Sequence, residues 1–129
     1  MTADELLQIG ATGEHLVALK FAQCGAKVYY PISLLDGVDM AVEVSGRLYK
    51  IQVKTAKKGT KRVFRLRRNR NKLYTEREVD YFALVSLDPP NVALVPYMKC
   101  TEMTVDFENL NPEWGFKAVI EKMREGGIA

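Results

Sequence analysis

Apolar positions follow two rhythms along this chain. From about Ala3 to Cys24, the residues Leu6, Leu7, Ile9, Leu16, Val17, Leu19 and Phe21 recur at three-to-four spacing, which predicts a helix. Gly10 and Gly13 each cost about 1 kcal/mol relative to alanine inside a helix. The segment is therefore open to division into two short helices, with Thr12 capping the second and Gly25 as the stop. Beyond Gly25 the rhythm shortens to two. Lys27–Pro31 reads as a strand. Residues 39–44 and 47–55 alternate around Ser45-Gly46, a two-residue hairpin turn. Residues 62–67 read as a further strand. Residues 79–87 are nearly all apolar, as in a strand buried on both faces. Asp88-Pro89-Pro90-Asn91 is a turn, and residues 92–95 a short strand after it. Pro112 opens a last helix, in which Phe116, Val119, Ile120 and Met123 keep i, i+3, i+4, i+7 spacing up to Gly126-Gly127. Trp114 reads as a packing anchor. Together these elements predict an α/β or α+β domain with a central mixed β-sheet, read as α/β with the sheet flanked by helices. No repeat or linker divides the chain, so residues 1–129 are expected to form a single domain.

The hairpin fixes a register. With Ser45 and Gly46 as the turn, Val44 pairs with Arg47, Glu43 with Leu48, Ala41 with Lys50 and Asp39 with Gln52. Alternation then puts Met40, Val42, Val44, Tyr49, Ile51 and Val53 on a core face. Asp39, Ala41, Glu43, Lys50, Gln52 and Lys54 share the other. An acid, an amide and an amine thus meet at the open end of one ribbon. Glu43 is expected to pair with Lys50, Asp36 to serve the preceding turn and Asp80 to bond backbone at a strand start. Tyr74 is expected at the packing rim.

Composition narrows the chemistry. The 129 residues are 47% hydrophobic and 27% charged, globular values. The longest uncharged run, Pro89 to Met98, is too short to span a bilayer, so no membrane association is expected. The N-terminal residues lack the basic start and apolar stretch of a secretory signal. Cys24, Cys100 and the single histidine, His15, supply three ligands where a structural zinc site needs four. The cysteines read as buried free thiols in a reducing compartment, and His15 as a helix surface residue. Net charge is only +3, but residues 54–72 hold ten of the nineteen basic residues and no acid. That segment predicts a polyanion-binding surface, because Val63, Phe64, Leu66 and Leu73 interrupt the charges and can anchor them. The DNA-contact set is Lys57, Lys58, Lys61, Arg62, Arg65, Arg67, Arg68, Arg70 and Lys72.

The polar cluster suits phosphodiester cleavage. A hard cation such as Mg²⁺ neutralises phosphate charge and activates water, and it prefers oxygen ligands. Asp39 supplies an anionic oxygen and Gln52 a neutral one, while Lys54 orients water or stabilises charge. Glu14 on the first helix is the choice for a second carboxylate. An ordinary sheet surface with an Asp39–lysine salt bridge is the bland alternative. What outweighs it is the basic segment, which begins at Lys54 itself.

Thr12-Gly13-Glu14, Asp36-Gly37-Val38-Asp39 and Ile51-Gln52-Val53-Lys54 together resemble the PD-(D/E)xK nuclease superfamily over roughly residues 10–96. Val38 stands at the motif's proline and Gln52 at its usual acid. The Gln-x-Lys form resembles the branch with a cyanobacterial group I intron homing endonuclease and small bacterial and phage proteins. Size and the Gly-Glu helix also resemble archaeal Holliday-junction resolvases. The resemblance implies a restriction-endonuclease-like core and a Mg²⁺-dependent endodeoxyribonuclease, with Mn²⁺ as substitute ion, of homing or junction-resolving type. It implies Asp39, Gln52 and the Val53 carbonyl as metal ligands, Lys54 as catalytic and Glu14 as accessory acid. It also implies a homodimer or larger homo-oligomer in the cytoplasm of a bacterial, archaeal or phage-infected cell. The rival is a catalytically inactive nucleic-acid-binding module of the same fold, which Gln52 favours.

Overall fold

The computed structural model describes residues 1–33 and 38–126. Asp36, expected in a turn, and Gly127, expected in the final helix stop, lie outside them. In chain order the elements are α1 (Ala3–Gln23), β1 (Lys27–Tyr29), β2 (Met40–Val44), β3 (Arg47–Ala56), β4 (Lys61–Arg65), β5 (Arg67–Asn69), β6 (Lys72–Leu73), β7 (Tyr81–Leu87), β8 (Pro90–Pro96), β9 (Glu102–Asp106), a 3-10 turn (Pro112–Trp114) and α2 (Phe116–Arg124).

The expected division of the first helix does not occur. α1 is continuous, and Thr2 caps it by accepting the Glu5 N–H at 3.1 Å. The Thr12 hydroxyl instead donates back to the Gln8 carbonyl at 2.7 Å. Gly13 has a packing role. It is buried, and a Cβ built on it would stand 1.8 Å from Thr55 Oγ1 of β3. The missing side chain lets the helix backbone settle on the strand, a gain that outweighs about 1 kcal/mol of lost helix propensity. Val17 and Phe21 enter the core, whereas Leu6, Leu7 and Leu19 remain exposed. Gly25, at φ 85°, closes the helix, with its N–H on Ala22 O and the Ala26 N–H on Phe21 O.

The main sheet has the order β1-β2-β3-β7-β8. β3 and β7 pair in parallel and the other neighbours antiparallel, so the sheet is mixed as expected. The hairpin register holds from Val44↔Arg47 to Met40↔Ile51. Ser45 and Gly46 have φ of 52° and 81°, the positive pair that a type I′ turn requires. The ladder stops one residue short of the expected Asp39–Gln52 pair. Glu43 lies 3.8 Å from Lys27 Nζ rather than pairing with Lys50, whose amine bonds the Arg77 carbonyl. Asp80 does bond backbone: its carboxylate accepts the Lys50 N–H at 2.8 Å.

Two apolar clusters cover the two faces of the sheet. On one, Val17 and Phe21 of α1 and Val119, Ile120 and Met123 of α2 pack against Met40, Val42, Ile51, Ala83, Val85 and Leu94. On the other, Phe64, Leu66, Tyr74 and Val105 cover Phe82, Leu84, Ala93 and Val95. Alternate residues of β7 thus enter different clusters, which explains its uninterrupted apolar sequence. Both helices lie on one face, and the second face is covered by the β4–β9 pair instead. The expected strand over 62–67 breaks at Leu66, whose N–H donates to Thr101 O at 2.9 Å. Pro112 opens the 3-10 turn rather than α2, which starts after Gly115. Trp114 is half-buried against the second cluster. Cys24 and Cys100 are free, as expected, but half-buried rather than buried; His15 is exposed. Among the described residues no helix is long and apolar enough to cross a membrane.

Candidate active site

The site forms where β2 leaves β3. Among the described residues, the β2–β3 ladder ends at Met40↔Ile51, yet β3 continues for five more residues. The exposed β3 edge must satisfy its backbone groups by other means. Asp39 does so: its N–H donates to Ile51 O at 3.2 Å, and its carboxylate accepts the Val53 N–H at 2.8 Å. Because a residue's N–H and C=O point to the same side of a strand, the Val53 carbonyl is directed to that notch too.

Glu14 reaches the notch from α1, one residue beyond the close approach of Gly13 to Thr55. Its carboxyl shares a hydrogen bond with Asp39. Burial, then the charge of Asp39 and that hydrogen bond, push Glu14 up to about 7. Burial also raises Asp39, against the Val53 N–H, the Glu14 hydrogen bond and the Lys54 charge, which all lower it. Of the two carboxyls, Glu14 is the one held closer to neutral pH.

Gln52 is buried on the same face of β3 as Lys54, and its Oε1 has no hydrogen-bond partner. An orphaned buried acceptor costs about 1–3 kcal/mol, so the site retains an oxygen that folding alone would discard. Lys54 is half-buried. Burial lowers its amine, opposed by the charge of Asp39. Lys54 Nζ donates to the Tyr74 hydroxyl at 3.1 Å and to the Arg67 carbonyl at 3.4 Å. Tyr74, expected at the rim, is instead buried beside the amine; burial and the charge of Asp39 push its phenol up to about 12, so it stays neutral. Its sequence signal was weak: it is the one tyrosine within residues 54–78.

The structure therefore brings Glu14, Asp39, the Val53 N–H and Lys54 together, with Gln52 next to Val53 on β3. Among the described residues no group of three or more His, Cys, Asp or Glu side chains forms a metal cluster. The donors here are two carboxylates, an amide oxygen and a main-chain carbonyl, a set that suits a hard oxygen-seeking cation.

The basic segment spreads around the second face. Arg65, Arg67, Asn69 and Arg70 line one open cavity. Lys57, Lys58, Lys61, Arg62 and Lys72 are exposed. Arg68 is engaged by Glu78 in an ion pair, so its expected DNA contact competes with an acid.

Protein 5.3 of Escherichia phage T7 is 47% identical over 47 residues, which cover 36% of this chain and 40% of that protein's length. The bacterial homing endonuclease I-Ssp6803I superposes with a TM-score of 0.71 at 17% identity, covering 98% of this chain and 95% of its own. At that identity the likeness establishes the fold alone, a mixed sheet with helices. A family described as PD-(D/E)XK endonuclease matches residues 6–114, most of the chain. This chain belongs to the PD-(D/E)XK endonuclease family.

Proposed function

We propose that the protein is a single-domain, metal-dependent DNA endonuclease that hydrolyses phosphodiester bonds at the notch between β2 and β3. The observation that carries this reading is the orphaned Gln52 oxygen on a strand whose next residue, Val53, donates its N–H to the Asp39 carboxylate. Buried acids and an unpaired oxygen are unfavourable in a metal-free fold and favourable around a dication. Asp39, Gln52, the Val53 carbonyl and Glu14 would hold Mg²⁺, with Mn²⁺ as substitute. When bound, the ion draws charge from the phosphate and acidifies water. Glu14 gives up its proton as the donor set fills, and Asp39 keeps its orientation through the Val53 N–H. Lys54 presents its amine to the phosphate or the attacking water. The cationic cavity and exposed lysines hold the DNA backbone by charge.

The similarity to a homing endonuclease supports a duplex site over a branched junction, and duplex symmetry supports a homodimer. The test is cleavage of plasmid and four-way-junction substrates with Mg²⁺, with EDTA and Asp39→Ala as controls. We expect plasmid cleavage that EDTA abolishes and Asp39→Ala reduces by at least a hundredfold, with DNA binding retained. Tight DNA binding without metal-dependent cleavage of either substrate would favour the inactive binding module.

A further inference from the structure

The arginine-rich ribbon and the Lys54 amine share anchor points. β5 begins at Arg67, whose carbonyl accepts Lys54 Nζ at 3.4 Å. β6 ends at Leu73, and the next residue, Tyr74, accepts the same amine through its hydroxyl at 3.1 Å. The Tyr74 ring centroid lies 5.0 Å from that nitrogen. The two roots of one hairpin thus grip the amine from both sides.

Both roots are braced. The Tyr97 hydroxyl donates to the Tyr74 carbonyl at 2.8 Å, and Phe82 meets the Tyr74 ring edge-on at 5.7 Å between centroids. Glu78 pairs with Arg68 of β5, while its other carboxylate oxygen accepts the Thr75 N–H at 3.0 Å. Beside the β5 root the character changes. Arg65, Arg67, Asn69 and Arg70 line a cavity without an acidic wall. Three guanidinium groups around one cavity repel one another until an anion enters, so an anion binds the drawn-together ribbon better than the splayed one. That difference in affinity is what any conformational relay needs. Arg67 is common to both: it lines the cavity, and its carbonyl accepts Lys54 Nζ.

We propose that Tyr74 is a positioning residue for Lys54, and that the ribbon of residues 67–73 relays occupation of the arginine cavity by a DNA phosphate to that amine. The relay rests on the nuclease reading only for its catalytic half. A lysine amine is a flexible point charge with three donors, and two fixed acceptors hold it to one orientation. A hydrogen bond to a charged group is strong enough that its loss slows the reaction about tenfold to a hundredfold.

Tyr74→Phe keeps the ring and removes the acceptor. Three measurements test it: single-turnover cleavage at saturating duplex and Mg²⁺, duplex affinity in EDTA, and the side-chain NMR signal of Lys54 in EDTA with and without duplex. We expect cleavage to fall about tenfold to a hundredfold, affinity to stay within about twofold, and the Lys54 signal to shift less with duplex in the variant than in the wild type. Wild-type cleavage in folded Tyr74→Phe, or a wild-type Lys54 signal indifferent to saturating duplex, overturns the proposal. Arg70→Gln approaches the relay from the other end, since Arg70 is exposed and outside the contacts that hold Lys54. At saturating duplex its Lys54 signal should shift less than that of the wild type; an equal shift overturns the relay even if Tyr74→Phe fails to fold. If the wild type cleaves no DNA, the nuclease reading falls and the NMR measurements still decide the relay.

Discussion

In the proposed reading, Gln52 opposes stability and serves chemistry. Its buried Oε1 lacks a partner, so removing that oxygen relieves an unmet hydrogen bond. Gln52→Leu is therefore expected to unfold at equal or higher urea than the wild type, with a gain of up to about 1–3 kcal/mol, while metal-dependent cleavage disappears. Gln52→Glu should keep partial activity, because it preserves shape and adds a ligand charge. Cleavage assays beside urea titrations check both, and an active leucine variant would remove Gln52 from the site. Asp39, Gln52 and Lys54 were legible from the hairpin register, since alternation along paired strands is a strict rule. Glu14 was chosen as a second carboxylate from its place on the first helix, but no pairing rule could place it beside Asp39. Tyr74 was misread because its role comes from an amine twenty residues earlier in the chain, and no local pattern encodes that meeting.

In the proposed reading, the β4–β6 region holds the DNA. Arg65 and Arg67 share one cavity although a strand break separates them. If both contact phosphates, replacing the pair by glutamine weakens binding to all duplex sequences alike. It also lowers the slope of log affinity against log salt by up to about two per protomer, at about 0.9 per contact. Titrations from low to moderate salt, with circular dichroism for the fold, check this; an unchanged slope would move the DNA elsewhere. Of the residues expected to anchor the charges, Phe64 and Leu66 are buried, whereas Val63 is exposed. Strands with strong alternation or uninterrupted apolar runs, β2, β3 and β7, were legible. β9 was not, because its half-buried Met103 and buried Val105 are set among polar and acidic residues. The unbroken α1 was also hidden, since Gly13 is explained by Thr55 across the core and not by its helix neighbours.

For the whole molecule, the carboxylate pair links metal, pH and stability. Glu14 has its folded value raised from 4.5 to about 7. Its contribution to stability is therefore fully present below about pH 4.5 and is lost as pH rises through about 7, because the folded state then holds a proton that the unfolded chain releases. In EDTA, the wild type should lose thermal stability relative to Glu14→Gln as pH climbs across that window. Mg²⁺ requires the ionised acid, so the stabilisation it gives the wild type should grow with pH over the same range. Melting curves at pH 5 to 8 test both slopes, and parallel curves for wild type and variant in EDTA would refute the assignment. The parallel pairing of β3 with β7 has a separate consequence. It joins residues 51–56 directly to 81–86, so the chain from Lys57 to Asp80 leaves the sheet and returns to the adjacent strand. The segment carrying the cationic surface is thus an excursion between two neighbouring strands, and its Phe64, Leu66 and Tyr74 bring their own apolar underside. Such an arrangement gives evolution two separable parts: a catalytic notch written in strand pairing, and an excursion whose outer residues can be rewritten for new DNA while the sheet beneath goes on pairing as before.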